Sequence, residues 1–305
     1  MKINWKLRPW VFLALLGVVA LGPVIWRRMP GTCAELPPNP QQPAVLPLKP
    51  DSVRFAVIGD SGTGDSFQYD IARRMVQSRD RFPFDFVVML GDNIYGGHSS
   101  RDFSVKFEQP YHILLDTGVR FYATLGNHDD PSECFYKPFN MGGRCYYAYS
   151  KGNARFVVLD SNYMDPPEID WLENELRGAT SPWKIAYFHH PLYSDGRFHA
   201  PDIDLCTSIE SLFEKYGVNV VLSGHEHVYK RIKPQHGIYY FVLGNAGEFR
   251  YHNLRESSEM AVGFDEDRCF MAVEVAGDGF YFQTVSRTGK IVDSGVLARQ
   301  QKTTR

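Results

Sequence analysis

The 305-residue chain carries 33 basic and 35 acidic residues for a formal charge of −2, with 44% hydrophobic and 14% aromatic residues. The even charge balance argues against a nucleic-acid partner, which usually brings a basic excess, and the apolar content excludes a disordered chain. The length is enough to bury a large core without disulfide staples, in one large domain or two small ones.

The N-terminus reads first as an export segment (residues 1–30). Lys2, Lys6 and Arg8 precede an apolar run from Trp10 to Trp26, which Arg27 and Arg28 close. A basic region followed by an apolar stretch is an export signal, and this run is about as short as a spanning helix can be. No small-x-small cleavage site comes after it, and Pro30-Gly31-Thr32 before Cys33 is a poor lipidation box. A membrane anchor with an extracytoplasmic (periplasmic or extracellular) domain is therefore expected, with secretion as the alternative if the signal is cleaved. The Pro-rich stretch after it, within residues 31–51, reads as a semi-extended spacer. A single folded domain is expected over 52–298, with a polar tail at 299–305. Cys134 and Cys145 share one loop and are candidates for a disulfide. Cys206 and Cys269 are either paired or reduced, since sequence does not fix connectivity.

Beyond the spacer, short apolar runs recur at Val53–Ile58, Phe86–Leu90, Val119–Leu125, Phe156–Leu159, Lys184–Phe188, Val218–Leu222 and Tyr239–Leu243. Runs apolar on both faces and rich in Val, Ile and Phe predict strands buried in a covered sheet. Helical patterns lie between them at Asp70–Arg79, Glu168–Leu176 (opened by Pro166 and Pro167) and Ile203–Lys215 (stopped by Gly217). At the end, Met271–Val275, Phe280–Ser286 and Ile291–Val296 are joined by glycine turns and predict antiparallel hairpins. The expected fold is α/β: a two-sheet β-sandwich flanked by helices, with mixed sheets.

The residues just past each strand carry the chemistry. Ile58 leads into Gly59-Asp60-Ser61-Gly62, and Leu90 into Gly91-Asp92-Asn93-Ile94-Tyr95. Leu125 leads into Gly126-Asn127-His128-Asp129, Phe188 into His189-His190-Pro191, and Ser223 into Gly224-His225-Glu226-His227. A Gly-Asp after a strand is usually only a turn, and a lone His pair is more often packing than ligand. Five such clusters at successive strand ends, where α/β sheets collect ligands, point instead to a shared metal site. In Gly-His-x-His, alternate residues of an extended segment face the same way.

These blocks resemble the calcineurin-like metallophosphoesterase superfamily, and within it the small purple acid phosphatases. The wider superfamily opens with Asp-x-His, whereas here the first block is Asp60-Ser61-Gly62. The purple acid phosphatase pattern has Asp-x-Gly and then Gly-Asp-x-x-Tyr, and Tyr95 supplies that tyrosine. The resemblance runs from about Arg54 to at least Glu248. It implies that Asp60, Tyr95 and His227 hold one metal ion, that Asn127, His189 and His225 hold the other, and that Asp92 bridges them. It further implies that His128 is catalytic beside the leaving group, and that His190 and His199 face the substrate.

Charge supports the tyrosine. Two carboxylates, a phenolate and a bridging hydroxide carry four negative charges, so two divalent ions leave the site neutral. One trivalent and one divalent ion leave a single positive charge, which favours an anionic phosphate. Phenolate oxygen suits Fe(III), and imidazole and amide ligands suit a divalent Fe, Zn or Mn. The activity so implied is hydrolysis of a phosphomonoester, on a small molecule or a phosphoprotein, by in-line attack of a metal-activated hydroxide. A diesterase, or a nucleotide or pyrophosphate hydrolase, is the alternative on the same site. Specificity would lie in the loops Gly96–Asp102, Ser132–Arg144 and Ser194–Asp202. Asp129 and Asp160 are expected either to orient histidines or to cap turns.

Overall fold

Apolar runs covered on both faces must be sandwiched between layers, and the computed structural model shows the layers. It describes residues 46–194, 203–255 and 257–299. In chain order these form β1 (Val53–Ile58), α1 (Ser66–Arg79), β2 (Phe86–Leu90), α2 (Ser100–Phe103), a π-helical turn (Ser104–Glu108), α3 (Gln109–Asp116), β3 (Arg120–Thr124), β4 (Tyr147–Lys151), β5 (Ala154–Val158), α4 (Pro166–Gly178), β6 (Trp183–Tyr187), α5 (Ile203–Tyr216), β7 (Val220–Ser223), β8 (Tyr229–Ile232), β9 (Tyr239–Leu243), β10 (Met260–Phe264), β11 (Cys269–Ala276), β12 (Gly279–Ser286) and β13 (Ile291–Ala298). Short 3-10 turns at Pro131–Phe135 and Lys137–Phe139 shape the loop after β3.

Two sheets result. One has the order β13-β12-β11-β1-β2-β3 and the other β10-β8-β9-β7-β6-β5-β4. β1, β2 and β3 pair in parallel, while β11, β12 and β13 form the antiparallel meander that the glycine turns predict. In the second sheet β5, β6, β7 and β9 run parallel, with β4 and β8 antiparallel beside them.

The sheets face each other through aromatic rings. Phe55 and Phe86 of the first meet Phe156 of the second at centroid distances of 5.3 and 5.6 Å, and Phe241 meets Phe282 at 5.1 Å. Edge-to-face pairs of this kind add about 0.5–1.5 kcal/mol each beyond their area burial. α4 and α5 cover the outer face of the second sheet, where Leu172, Leu176, Ile209 and Phe213 pack with Val157, Ala186 and Val221. On the other side, α1 contributes buried Ile71 and Met75 and α3 contributes buried Tyr111.

Three details depart from the sequence expectation. Residues 46–51, expected within the spacer, are held on the body: Leu46 is buried and Glu274 accepts the backbone N–H groups of Leu48 and Lys49. Cys134 and Cys145, expected to be able to pair, are free thiols in hydrogen-bond contact, and Cys269 is a free buried thiol beside Asn245. Strands β4, β8 and β10 and helix α3 have no counterpart among the apolar runs and helical patterns of the sequence. Among the described residues no helix is long and apolar enough to cross a membrane. Arg299 of the expected tail pairs with Asp278, and the Trp10–Trp26 run, His199 and residues 300–305 lie outside the described residues.

Asp165 caps α4 by accepting from Glu168 N, and the Glu168 side chain turns back to accept from Asp160 N at 2.8 Å, tying the loop after β5 to the helix. Burial pushes the Glu168 carboxyl up to about 8. A carboxyl whose folded pKa lies above its unfolded value binds more protons when folded, so its contribution is lost as pH rises from about 4.5 towards 8. Glu168→Gln should therefore flatten this part of the stability profile. Thermal melts should show the variant gaining on wild type at pH 8 by on the order of 1–3 kcal/mol, with little gain at pH 4.5.

Candidate dimetal site

The polar strand ends converge on one edge of the sandwich. β1 delivers Asp60, β2 delivers Asp92 and Tyr95, and β3 delivers Asn127 and His128. From the facing sheet β6 delivers His189 and His190, and β7 delivers His225 and His227. Asp60 and His189 are fully buried and Asp92 is 1% exposed, whereas Asn127 and His128 stand at the open side.

Oxygen and nitrogen atoms of ligand type crowd one another here. His189 Nδ1 faces the Leu90 carbonyl at 2.9 Å; a carbonyl only accepts, so Nδ1 carries the proton and Nε2 keeps a lone pair. That Nε2 lies 3.0 Å from Asn127 Oδ1, 3.5 Å from Asp92 Oδ1 and 3.1 Å from His225 Nδ1. On the other side of Asp92, the Tyr95 hydroxyl donates to Asp92 Oδ2 at 2.9 Å and lies 3.3 Å from Asp60 Oδ1 and 3.4 Å from His227 Nε2. His227 Nε2 is 3.3 Å from Asp60 Oδ1. Among the described residues the ion-pair partners of Asp60 and Asp92 are histidines, with no Lys or Arg.

This crowding sets the electrostatics. Burial and then the neighbouring Asp92 hold the Asp60 carboxyl well above the usual range. Burial, then Asp60 and Asp92, push the Tyr95 phenol far up. Burial holds His189 well below its ordinary value, so it stays neutral. Two buried carboxylates and several imidazole lone pairs without cations are what a pair of metal ions would satisfy. The residues fit: one ligand atom each from Asp60, Asp92 and His189 lie within 4.8 Å of one another, as do those of His189, His190 and His225.

The backbone explains the glycines. A Cβ on Gly224 would stand 2.5 Å from Asp60 Oδ2, and one on Gly126 would stand 2.2 Å from Asp92 Oδ1. Asp60, Asp92 and His225 have φ of 52°, 50° and 67°, in the left-handed region that non-glycine residues rarely adopt. Such strain costs roughly 1–3 kcal/mol per residue and collects at functional sites. Hydrogen bonds hold it: Asp60 N donates to Gly91 O at 3.0 Å, and His225 N donates to Asp60 Oδ2 at 2.8 Å.

A family model for calcineurin-like phosphoesterases matches residues 53–229. The chain belongs to that family. The phosphoesterase is 25% identical over 241 residues to purple acid phosphatase 17 of Arabidopsis thaliana, a match covering 67% of this chain and 71% of that one. Its fold is similar to the solved structure of GAP50, the anchor in the inner membrane complex of Plasmodium, with a TM-score of 0.70 at 18% identity over 83% of this chain and 90% of that one. It is also similar to the purple acid phosphatase PPD1 from yellow lupin seeds, with a TM-score of 0.68 at 18% identity over 82% and 54% of the two chains. The chain is thus a dimetal phosphoesterase by family, and the solved structures share its fold.

The other site candidates occupy distinct places around this centre. His128 is exposed, its ring 4.8 Å from that of Tyr95, and its backbone N–H donates to Asp92 Oδ1 at 2.9 Å. His190 packs 4.5 Å from the His225 ring, and its Nδ1 meets Ser161 Oγ at 2.9 Å. Asp129 orients no histidine. It accepts from Asn93 N, Asn93 Nδ2, Ile94 N and Gly126 N, binding the loops after β2 and β3 together. Asp160 accepts from Asn162 N and caps its turn.

Sequence reasoning leaves Glu248 without a role. Its N–H donates to Asp60 O at 2.9 Å, and its charge is felt at Asp60, Tyr95 and His227. It comes after β9 through Gly244-Asn245-Ala246-Gly247, and that repeat of the strand-then-glycine pattern is the available signal.

Gly224→Ala tests the geometry without changing any ligand. The variant should fold as wild type by circular dichroism but displace the Asp60 carboxylate. Calorimetric metal binding should weaken about 10–100-fold and turnover fall on the order of 10²-fold. Unchanged metal affinity would show that Gly224 only makes a turn.

Proposed function

We propose that this phosphoesterase is a phosphomonoesterase of purple acid phosphatase type, with Fe(III) and a divalent Fe, Zn or Mn as its ions. The observation that carries the reading is Tyr95, whose hydroxyl stands among Asp60, Asp92 and His227 where a hard, anionic oxygen would meet one cation. Asp60, Tyr95 and His227 would hold the first ion, Asn127, His189 and His225 the second, and Asp92, with one oxygen towards each half, would serve both. When bound, the two ions lower the pKa of water and neutralise phosphoryl charge.

The chain's own groups do the rest. The Leu90 carbonyl fixes the His189 tautomer, so its Nε2 faces the site without a proton. His128, at the open side, gives a proton to the departing alkoxide as the P–O bond to the alcohol breaks and water oxygen takes its place on phosphorus. His190, held by Ser161, would line the phosphate's seat, and His199 is a further candidate there. The reading extends to an exported enzyme tethered by the Trp10–Trp26 run, with a phosphorylated small molecule or phosphoprotein as substrate.

Two measurements test it. Asp92→Ala should lower kcat by at least about 10³-fold on p-nitrophenyl phosphate while the fold is retained; full activity in that variant would remove the site from the chemistry. The oxidised, iron-loaded protein should show a visible tyrosinate–iron band that Tyr95→Phe abolishes. A colourless, fully active protein with two zinc or manganese ions would refute the iron assignment.

A further inference from the structure

Next to the ion site lies a cavity of about 220 Å³, lined by Leu125, Gly126, Asn127, Asp129, Pro131, Asp160, Asn162, Tyr163 and His190. Asn127 and His190 belong to both places, so whatever sits in the cavity touches the second-ion half of the site. We propose that this alcove receives the alcohol part of the substrate, and that the alcohol is a polyhydroxylated group of single-sugar size. The proposal rests on the phosphomonoesterase reading and goes beyond it by naming the substrate class.

Three observations carry it. The first is the polarity of the lining. Asn162 Oδ1 is buried and has no hydrogen-bond partner, although its Nδ2 is engaged with Asp160 Oδ1 at 3.0 Å and approaches the Leu125 and Gly126 carbonyls at 3.3 Å. The hydrogen bonds that the Asp160 carboxylate accepts both fall on Oδ1 and come from Asn162. Asn162 Oδ1 is closed off from the cavity, but Asp160 Oδ2 accepts none of these bonds and stays accessible, so the wall offers a carboxylate oxygen to an O–H donor. Hydroxyl groups of a polyol supply that donor, whereas an alkyl or simple aryl alcohol does not.

The second observation is charge. No Lys or Arg lines the alcove, and two carboxyl residues, Asp129 and Asp160, do. A second phosphate, a nucleotide tail or an acidic phosphopeptide would find nothing to neutralise it there. The third is size and shape. A half-open recess of about 220 Å³ has room for a group of single-ring size. At its mouth Tyr163 is 72% exposed, a flat apolar surface against which the C–H face of a sugar can lie while its hydroxyls turn inward.

The test uses the full-length, metal-loaded enzyme and three monoesters: a glucose phosphate, hexyl phosphate of equal carbon count, and p-nitrophenyl phosphate. Wild type should favour the glucose phosphate over hexyl phosphate by at least about ten-fold in kcat/KM. Asp160→Asn and Tyr163→Ala should each raise KM for the glucose phosphate about ten-fold, with less than two-fold change on the other two esters and unchanged melting. On the metal-free protein, saturation-transfer NMR with glucose should show contact that Tyr163→Ala removes. Equal efficiency on glucose and hexyl phosphates, or an equal loss on all three esters in the variants, overturns the alcove while leaving the phosphatase reading intact. Failure to hydrolyse any of the three overturns both.

Discussion

The structure depends on a cluster of buried carboxylate, amide and imidazole atoms brought together with no cation among them. Asp60 Oδ1, Asp92, His189 Nε2, Asn127 Oδ1 and His227 Nε2 stand 3.0–3.5 Å from their neighbours in the site. The Tyr95 hydroxyl donates to Asp92 Oδ2. In water such a cluster would fly apart, and in a protein interior it is costlier still. It persists because each member is fixed from behind. Leu90 O holds the imidazole of His189, the backbone N–H of His225 holds Asp60, and the backbone N–H of His128 holds Asp92. Three of these residues also bear left-handed backbone conformations. Strain on that scale is a sizeable part of a domain's net stability, and the aromatic core between the sheets offsets it.

That core explains why the site spans the two sheets. Asp60, Asp92 and Asn127 ride on β1, β2 and β3, while His189 and His225 ride on β6 and β7. Their spacing is set by how the sheets stack, through Phe55, Phe86, Phe156, Phe241 and Phe282. Oxygen ligands thus come mostly from one sheet and nitrogen ligands from the other. A substitution deep between the sheets, far from any ligand, would change the distance between the two ligand sets. The site is rigid only to the extent that the sandwich is.

Much of this is legible in the sequence, for a physical reason. Buried parallel strands are continuous apolar runs, and β1, β2 and β9 begin and end where those runs do. The residues after the site-bearing strands are conspicuous because carboxylate or imidazole seldom comes after an apolar strand five times over, four of them with a glycine. What the sequence hides has equally local causes. β4, at a sheet edge, mixes half-buried Ala148 and Tyr149 with exposed Ser150, so no continuous run marks it. The helical stretch from Ser100 passes through a π turn, which breaks the 3.6-residue period before α3 begins. Asp129 looks like a histidine's partner because it sits next to one in the chain. Its carboxylate instead gathers backbone and amide N–H groups from two loops, and nothing in a linear sequence says which loop lies opposite.

The Gly224–His227 segment shows how far local rules reach. His225 has φ of 67°, so the segment is not a plain extended strand; its two histidines still reach the candidate ion site while Glu226 between them is fully buried. A lone charge there would be prohibitive. Lys230, also fully buried, meets it at 2.5 Å. The Gly-His-x-His motif therefore constrains a residue outside itself. The same logic of acceptors seeking partners runs across the whole site edge. On the Asp60–Asp92–His189 side the unmatched acceptors are carboxylates and imidazoles, which metal cations satisfy. On the Asp160 side the unmatched acceptor is a carboxylate oxygen, which a hydroxyl hydrogen would satisfy. Asn127 stands on the border, its oxygen turned to His189 and its residue forming part of the alcove wall. A phosphomonoester has the same two-part character, an anionic phosphoryl group joined to an alcohol, and its scissile bond would lie where the two kinds of acceptor meet.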